Sequence, residues 1–169
     1  LKQLMELLEA LDSFPDIGLI FTMPNADTSS QLMTSLIEKY VESRDNATSY
    51  ASLGVVRYLS AMACVDGVIG NSSSGLLEAP SLKKGTINIG NRQRGRVQAE
   101  SVISCEPDRL DIQRAITKLL SSDFQSTVKS VTSPFGAAGA CEKIVKVIKS
   151  MPKENLLNKV FCDHGNQDK

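Results

Sequence analysis

Short apolar segments that alternate with amphipathic helical segments constrain the fold of this 169-residue chain more than any other feature. The leucines at positions 4, 7, 8 and 11 have the i, i+3, i+4, i+7 spacing of one helix face, and similar stripes recur along the chain. Strands are predicted at 17–22, 47–51, 67–70, 86–89 and 101–105. Short strands that alternate with helices are typical of a parallel sheet covered on both faces. We therefore predict a doubly wound, mostly parallel, Rossmann-like α/β domain.

The predicted domain spans residues 1–152, and residues 153–169 are predicted to be a C-terminal tail, because apolar periodicity fades there. Helices are predicted from Ser74 to about Lys83 and from Pro107 to Ser121. A Ser/Thr-rich link follows. The last helix is predicted to bury four side chains, those of Cys141, Ile144, Val145 and Ile148.

The charge balance gives no electrostatic reason to expect a highly charged binding partner. Lys plus Arg and Asp plus Glu are both 19, so neither nucleic acid nor an anionic membrane is favoured. No apolar run approaches the ~20 residues of a membrane span, and no basic leader precedes an apolar run. We expect a cytoplasmic protein that begins inside a longer polypeptide, since Leu1 already lies in a helical pattern.

The cysteines argue against a structural metal. Cys64, Cys105, Cys141 and Cys162 are widely spaced, and His164 is the single histidine. We predict no metal and no cofactor. Cys64, Cys105 and Cys141 are predicted to be small buried hydrophobic residues in a reducing compartment.

The stretch from Gly67 to Pro80 has the pattern of a buried strand, a turn of small polar residues and a helix start. Unpaired N–H groups at a helix N-terminus and the hydroxyls of Ser72, Ser73 and Ser74 suit an anion such as phosphate. Plain helix capping by serine is the alternative. Glu78 would repel a phosphate, so ribose hydroxyls are its natural partner.

A second loop follows a neighbouring predicted strand and carries Arg92, Arg94 and Arg96 within five residues. A solvated basic loop is one interpretation, but guanidinium groups also suit phosphate because their donors form a fork. If both loops converge, the ligand is a diphosphate. Tyr58 either stacks on a nucleotide base or packs in the core with Val55, Leu59 and Met62, which share its face of a predicted helix.

Several nucleotide and hydrolase signatures are missing. The chain has neither the G-x-G-x-x-G fingerprint of dinucleotide-binding proteins nor the G-x-x-x-x-G-K-[ST] of a P-loop. It also lacks a G-x-S-x-G elbow, so the serines are poorly placed to be a hydrolase nucleophile.

The segments 70–80 (GNSSSGLLEAP), 86–96 (TINIGNRQRGR) and 99–102 (AESV) closely resemble the UDP-N-acetylglucosamine 2-epimerase family. The resemblance extends over nearly the whole chain and is nearest to the hydrolysing branch, which converts UDP-GlcNAc to N-acetylmannosamine plus UDP for sialic-acid-type sugars. Such enzymes resemble GT-B glycosyltransferases, with two Rossmann-like domains and the UDP-sugar in the cleft. The chain is similar to the carboxyl-terminal half.

The resemblance implies a role for each candidate residue. The diphosphate would bind Ser72, Ser73, Ser74 and Arg96, the ribose Glu78, and the uracil Tyr58. The acid/base carboxylates of the family lie in its amino-terminal half, so the resemblance implies no catalytic residue in this chain and no turnover by it alone. Homo-oligomers and a partner amino-terminal domain are also implied.

Other functions stay open at this point. A non-hydrolysing epimerase would release UDP-N-acetylmannosamine, but its turn usually reads Asp-Ser-Gly-Gly rather than the Asn-Ser-Ser-Ser at 71–74. A GT-B glycosyltransferase would use the same nucleotide site with a different amino-terminal domain. A nucleotide-sugar-binding module without chemistry, or a GDP-linked sugar, also fits.

Overall fold

Every strand pair in the described part of the chain is parallel. The computed structural model describes residues 1–24 and 30–152. The strands there are β1 (Leu19–Thr22), β2 (Ala47–Tyr50), β3 (Gly67–Gly70), β4 (Gly85–Ile89) and β5 (Val102–Cys105). The helices are α1 (Lys2–Leu11), α2 (Ser30–Glu42), α3 (Gly54–Cys64), α4 (Ser74–Leu77), α5 (Arg109–Leu120), α6 (Ser122–Ser130) and α7 (Ala140–Ser150). The predicted α/β fold with parallel strands is confirmed.

The strands form two hydrogen-bonded groups, β1-β2 and β3-β4-β5. β4 is the central strand of the second group, and all five of its residues are buried. On one face of β4, Ile87 and Ile89 join the main core, where they lie beside Ile103 and Cys105 of β5. On the other face, Thr86 and Asn88 are buried polar residues. The face with Thr86 is the one that packs against α4, so the sheet positions the candidate site.

The predicted helix at 107–121 is confirmed as α5. Asp108 caps it, because the Asp108 side chain accepts a hydrogen bond from the backbone N–H of Asp111. The side chains predicted to face inward, Ile112, Ala115, Ile116 and Leu119, are all buried. They belong to the same core cluster as the isoleucines of β4.

The helix predicted from Ser74 to Lys83 is wrong in length. α4 is a single turn that ends at Leu77, and a separate 3₁₀ turn covers Pro80–Leu82. Pro80 has no N–H to donate, and its ring crowds the carbonyl four residues earlier, so an α-helix cannot run through it. Lys83 closes the segment with a left-handed φ of 57°.

Two further expectations are corrected. The Ser/Thr-rich link is partly the helix α6, which begins where the Ser121 side chain accepts from the Phe124 N–H and which buries Val128. Cys64, predicted to be buried, is exposed at the end of α3, whereas Met62 is the buried residue of that helix. Cys105 is buried as predicted.

The chain divides into two compact units, Leu1–Gly136 and Ala137–Lys169. Within the second unit, α7 is the single described element, and its stripe of Ile144, Val145 and Ile148 is exposed, as is Cys141. The prediction that α7 buries these side chains is therefore wrong for the described residues. Asp27 and Thr28, either of which the sequence suggests as a cap for the helix that follows, lie outside the described residues, as does the predicted tail 153–169. The boundary at 152 stays a prediction.

Candidate functional site

The serine turn, residues 70–75, connects the carboxyl end of β3 to α4. Gly70 ends the strand with a φ of 148°, a conformation that side chains rarely adopt, and so allows the sharp change of direction. Ser72 is exposed, and Ser73 and Ser74 are half-buried. The turn therefore presents hydroxyl groups at the edge of the sheet where ligands of parallel α/β folds bind.

Internal hydrogen bonds occupy part of the backbone of this turn. The N–H of Gly75 donates to the carbonyl of Ser72 at 3.3 Å, and the N–H of Leu76 donates to the carbonyl of Ser73 at 3.0 Å. The N–H of Ser74 lies 3.4 Å from the Ser72 hydroxyl. Because α4 has a single turn, few peptide dipoles align behind it. An anion at this turn would therefore depend on hydroxyl groups and nearby arginines more than on the helix N-terminus.

Close packing fixes α4 on the sheet. The Thr86 hydroxyl donates to the carbonyl of Gly75 at 2.7 Å, and both residues are buried. A Cβ added at Gly75 would lie 2.6 Å from the Thr86 methyl carbon. Glycine at position 75 therefore lets the helix backbone approach β4, which sets the height of the serine turn above the strand ends.

Tyr58 contacts the serine turn directly. Its hydroxyl lies 2.7 Å from the Ser74 hydroxyl, and the ring is half-buried on α3. The two predicted roles of Tyr58 are stacking on a base and packing in the core, and neither involves a contact with Ser74. Tyr58 is thus brought together with Ser74, and either hydroxyl can donate the hydrogen bond between them.

The arginine loop, residues 91–96, is joined to the serine turn through Asn71. The Gln93 side chain donates from Nε2 to the Asn71 carbonyl at 2.8 Å, and Arg92 donates to the Asn71 side-chain oxygen at 3.3 Å. The condition that the sequence left open, that the two loops converge, is therefore met for these residues. Arg94 and Arg96 are exposed, and among the described residues no hydrogen bond joins the Arg96 side chain to the serine turn.

Glu78 lies at the C-terminal end of α4, where its backbone N–H donates to the Ser74 carbonyl at 2.9 Å. One carboxylate oxygen, Oε2, is buried and has no hydrogen-bond partner among the described residues. A buried acceptor without a partner carries an unfavourable desolvation free energy. A ligand hydroxyl could remove that cost, which fits the predicted ribose contact. The role itself stays a prediction.

Sequence reasoning missed Asn71 and Gln93 as parts of this site. Asn71 directly follows the glycine that ends β3, and this position alone does not indicate that it will bond to the arginine loop. Gln93 sits between two arginines, and the basic pattern conceals it. Its burial, at 4% exposure, could not be predicted from a polar loop.

None of the helices in the part of the chain that the structure describes is long and apolar enough to cross a membrane. No group of three or more His, Cys, Asp or Glu side chains in residues 1–24 and 30–152 could hold a metal ion.

A parallel α/β unit with polar loops at its strand ends has the architecture found in many nucleotide-binding folds. Residues 1–149 match the family model described as UDP-N-acetylglucosamine 2-epimerase. The chain therefore belongs to the UDP-N-acetylglucosamine 2-epimerase family.

Curated relatives support the assignment. The chain is 35% identical over 164 residues to a Campylobacter jejuni protein named GDP/UDP-N,N'-diacetylbacillosamine 2-epimerase (hydrolyzing). The aligned residues make up 96% of this chain and 42% of the relative. The chain is 38% identical over 162 residues to the Escherichia coli polysialic acid biosynthesis protein P7, covering 95% and 41% respectively. The chain thus spans about two fifths of the length of these relatives.

Solved structures show the same fold. The S. aureus MnaA-UDP co-structure matches with a TM-score of 0.71 and 20% identity over 88% of this chain and 40% of that one. The Methanocaldococcus jannaschii UDP-GlcNAc 2-epimerase in complex with UDP-GlcNAc and UDP matches with a TM-score of 0.70 and 17% identity, over 88% and 41%.

Proposed function

We propose that this chain is the UDP-binding half of a hydrolysing UDP-N-acetylglucosamine 2-epimerase, which converts UDP-GlcNAc to N-acetylmannosamine and UDP. The observation that carries the proposal is the junction at Asn71, where a turn of hydroxyl groups and a loop of arginines meet at the strand ends. Hydroxyls and guanidinium groups side by side suit a diphosphate, and the family membership supports a nucleotide sugar as its source.

In the proposed reaction, the bond between sugar C1 and the diphosphate oxygen breaks, and UDP departs with the electron pair of that bond. The C2–H bond breaks and a proton is returned to the opposite face of C2, which inverts its configuration, while water supplies the hydroxyl group at C1 and releases its other proton. The Ser72, Ser73 and Ser74 hydroxyls and the Arg96 guanidinium would stabilise the negative charge that develops on the departing diphosphate. Glu78 would hold the ribose and Tyr58 would lie near the uracil.

The groups that move the proton at C2 are assigned to a second, amino-terminal region outside this chain. No described residue at the serine turn or the arginine loop is proposed as the base. This chain would accordingly supply nucleotide binding and leaving-group stabilisation, and the other half the proton chemistry. We also propose that the protein forms a homo-oligomer. We propose a cytoplasmic location, with which the free thiols of Cys64 and Cys141 agree.

A second substrate is favoured by one specific observation. The C. jejuni relative, 35% identical over 96% of this chain, is named for GDP- or UDP-N,N'-diacetylbacillosamine. The same leaving-group site would serve that substrate, which differs from UDP-GlcNAc in the sugar and, for the GDP form, in the base. The residues of this chain assigned to the diphosphate would then act unchanged.

Calorimetric titration of the complete protein with UDP, GDP and uridine tests the proposed ligand. We expect UDP to bind more tightly than uridine, because the nucleoside lacks the diphosphate that the two loops would hold. Tighter binding of GDP than UDP would favour the second substrate. Equal affinity for UDP and uridine would contradict a diphosphate site at these loops.

A further inference from the structure

Gln93 differs from its neighbours in the arginine loop. Residues 91, 92 and 94–98 are exposed, whereas Gln93 is 4% exposed. Burial of an amide is unfavourable unless its hydrogen bonds are made inside the protein. The position of Gln93 therefore depends on what its side chain contacts.

Gln93 contacts both parts of the candidate site. Its Nε2 donates to the Asn71 carbonyl at 2.8 Å, and its own carbonyl accepts the backbone N–H of Arg96 at 3.2 Å. One residue thus links the first residue after β3 to the arginine assigned to the diphosphate. The neighbouring bond from Arg92 to Asn71 adds a second connection on the same side.

The other end of the amide has no partner. Gln93 Oε1 is buried and accepts no hydrogen bond within the described residues. An apolar side chain of similar size would fill the same space without leaving a buried acceptor unpaired. The structural reason for an amide here is therefore the bond that Nε2 donates to Asn71.

We propose that Gln93 is a positioning residue that holds the arginine loop against the serine turn, so that Arg96 meets the diphosphate of the nucleotide. This inference rests on the proposed function and deepens it. Gln93 acts through Arg96 and touches neither the sugar nor the base. Its loss should weaken binding only of ligands that carry the diphosphate.

A double-mutant cycle on the complete protein tests the inference. Gln93→Met should weaken UDP binding about 10-fold, the equivalent of one hydrogen bond, and leave uridine binding within about twofold. In an Arg96→Ala background, Gln93→Met should cause less than about a twofold further loss, because residues that act through one another are not additive. Gln98→Met is the matched control: it makes the same change at an exposed position two residues beyond the arginine loop, where the side chain accepts a hydrogen bond from Ser104 rather than contacting the serine turn, and it should leave UDP binding unaltered.

Equal losses for UDP and uridine, an undiminished loss in the Arg96→Ala background, or no loss at all would each overturn the inference. If Gln93→Met does not fold, Gln93→Asn carries the same test, because it keeps the amide but is too short to reach Asn71. A wild-type protein that binds neither UDP nor GDP would overturn the proposed function together with the inference. Wild-type binding of UDP that Gln93→Met leaves unaltered would overturn the inference alone.

Discussion

At the residue scale, hydrogen bonds to Asn71 join the serine turn and the arginine loop, which lie about twenty residues apart in sequence. The sequence predicts the hydroxyls of the turn and the arginines of the loop, because both residue types have side chains suited to anions. It does not predict the bonds that join them. A hydrogen bond between an amide and a distant carbonyl depends on tertiary placement, and neither Asn71 nor Gln93 has a local pattern that indicates it.

Arg96→Ala should reduce the rate of UDP release from UDP-GlcNAc by about 100-fold, as loss of a donor to a developing negative charge does in other enzymes. The measurement is steady-state turnover of the complete protein with UDP detection. Arg94→Ala is the matched control, since Arg94 is exposed in the same loop and has no proposed role. Unchanged turnover in Arg96→Ala would refute the leaving-group role.

The cysteines give a second residue-scale prediction. Burial raises the pKa of Cys105 from 9.0 to about 11, with added repulsion from Asp111, Asp108 and Glu106. At pH 8 the Cys105 thiol should resist iodoacetamide while exposed Cys64 reacts, because only the thiolate is nucleophilic. Site-resolved mass spectrometry after brief labelling makes the comparison.

The sign of the linked stability follows from the same shift. A raised pKa means that the folded state favours the neutral thiol, so this contribution to stability is present below about pH 9 and is lost as the pH rises through about 11. Rapid labelling of Cys105 in the folded protein at pH 8 would contradict its burial.

At the element scale, prediction succeeds where an amphipathic stripe and a cap agree. α5 has both, in Asp108 and the inward stripe from Ile112 to Leu119. The prediction failed at 74–83, where the helical pattern runs into Pro80. It also missed α6, whose polar composition hides a single buried contact at Val128. Local propensity is a weak guide where one tertiary contact decides.

Gly75→Ala should lower the free energy of unfolding by about 1–3 kcal/mol, because the new methyl would lie 2.6 Å from the Thr86 methyl carbon. Adding Thr86→Ser should recover part of that loss, since serine removes the methyl group and keeps the hydroxyl that donates to Gly75. Denaturant unfolding measures both variants.

Gly18→Ala is the control for this substitution, because Gly18 lies outside α4 and nothing lies within 4 Å of a Cβ at position 18. It should change stability by less than about 0.5 kcal/mol. A neutral Gly75→Ala would show that α4 can move away from β4 without cost.

At the scale of the whole molecule, the fold class could be predicted because alternating short strands and helices leave few architectures. The division of the strands into β1-β2 and β3-β4-β5 could not, since pairing between strands is not encoded in local periodicity. The exposure of the apolar stripe on α7 could not be predicted either. Periodicity identifies an apolar face but does not say which element covers it.

The chain 1–169 on its own should bind UDP weakly and turn over no UDP-GlcNAc, because the groups proposed to move the C2 proton lie outside it. Weak binding is expected since only one wall of the proposed cleft is present. Calorimetry with UDP and product analysis after long incubation measure both properties. Epimerised or hydrolysed sugar from the isolated chain would contradict the division of labour.

Hydrolysis of a UDP-sugar by the complete protein can be tested by identifying its products. UDP-GlcNAc is incubated in ¹⁸O-labelled water, and the products are identified by NMR and mass spectrometry. We expect free N-acetylmannosamine and UDP without ¹⁸O, because the bond between C1 and oxygen breaks. UDP-N-acetylmannosamine without UDP release, or UDP that carries ¹⁸O, would contradict this expectation.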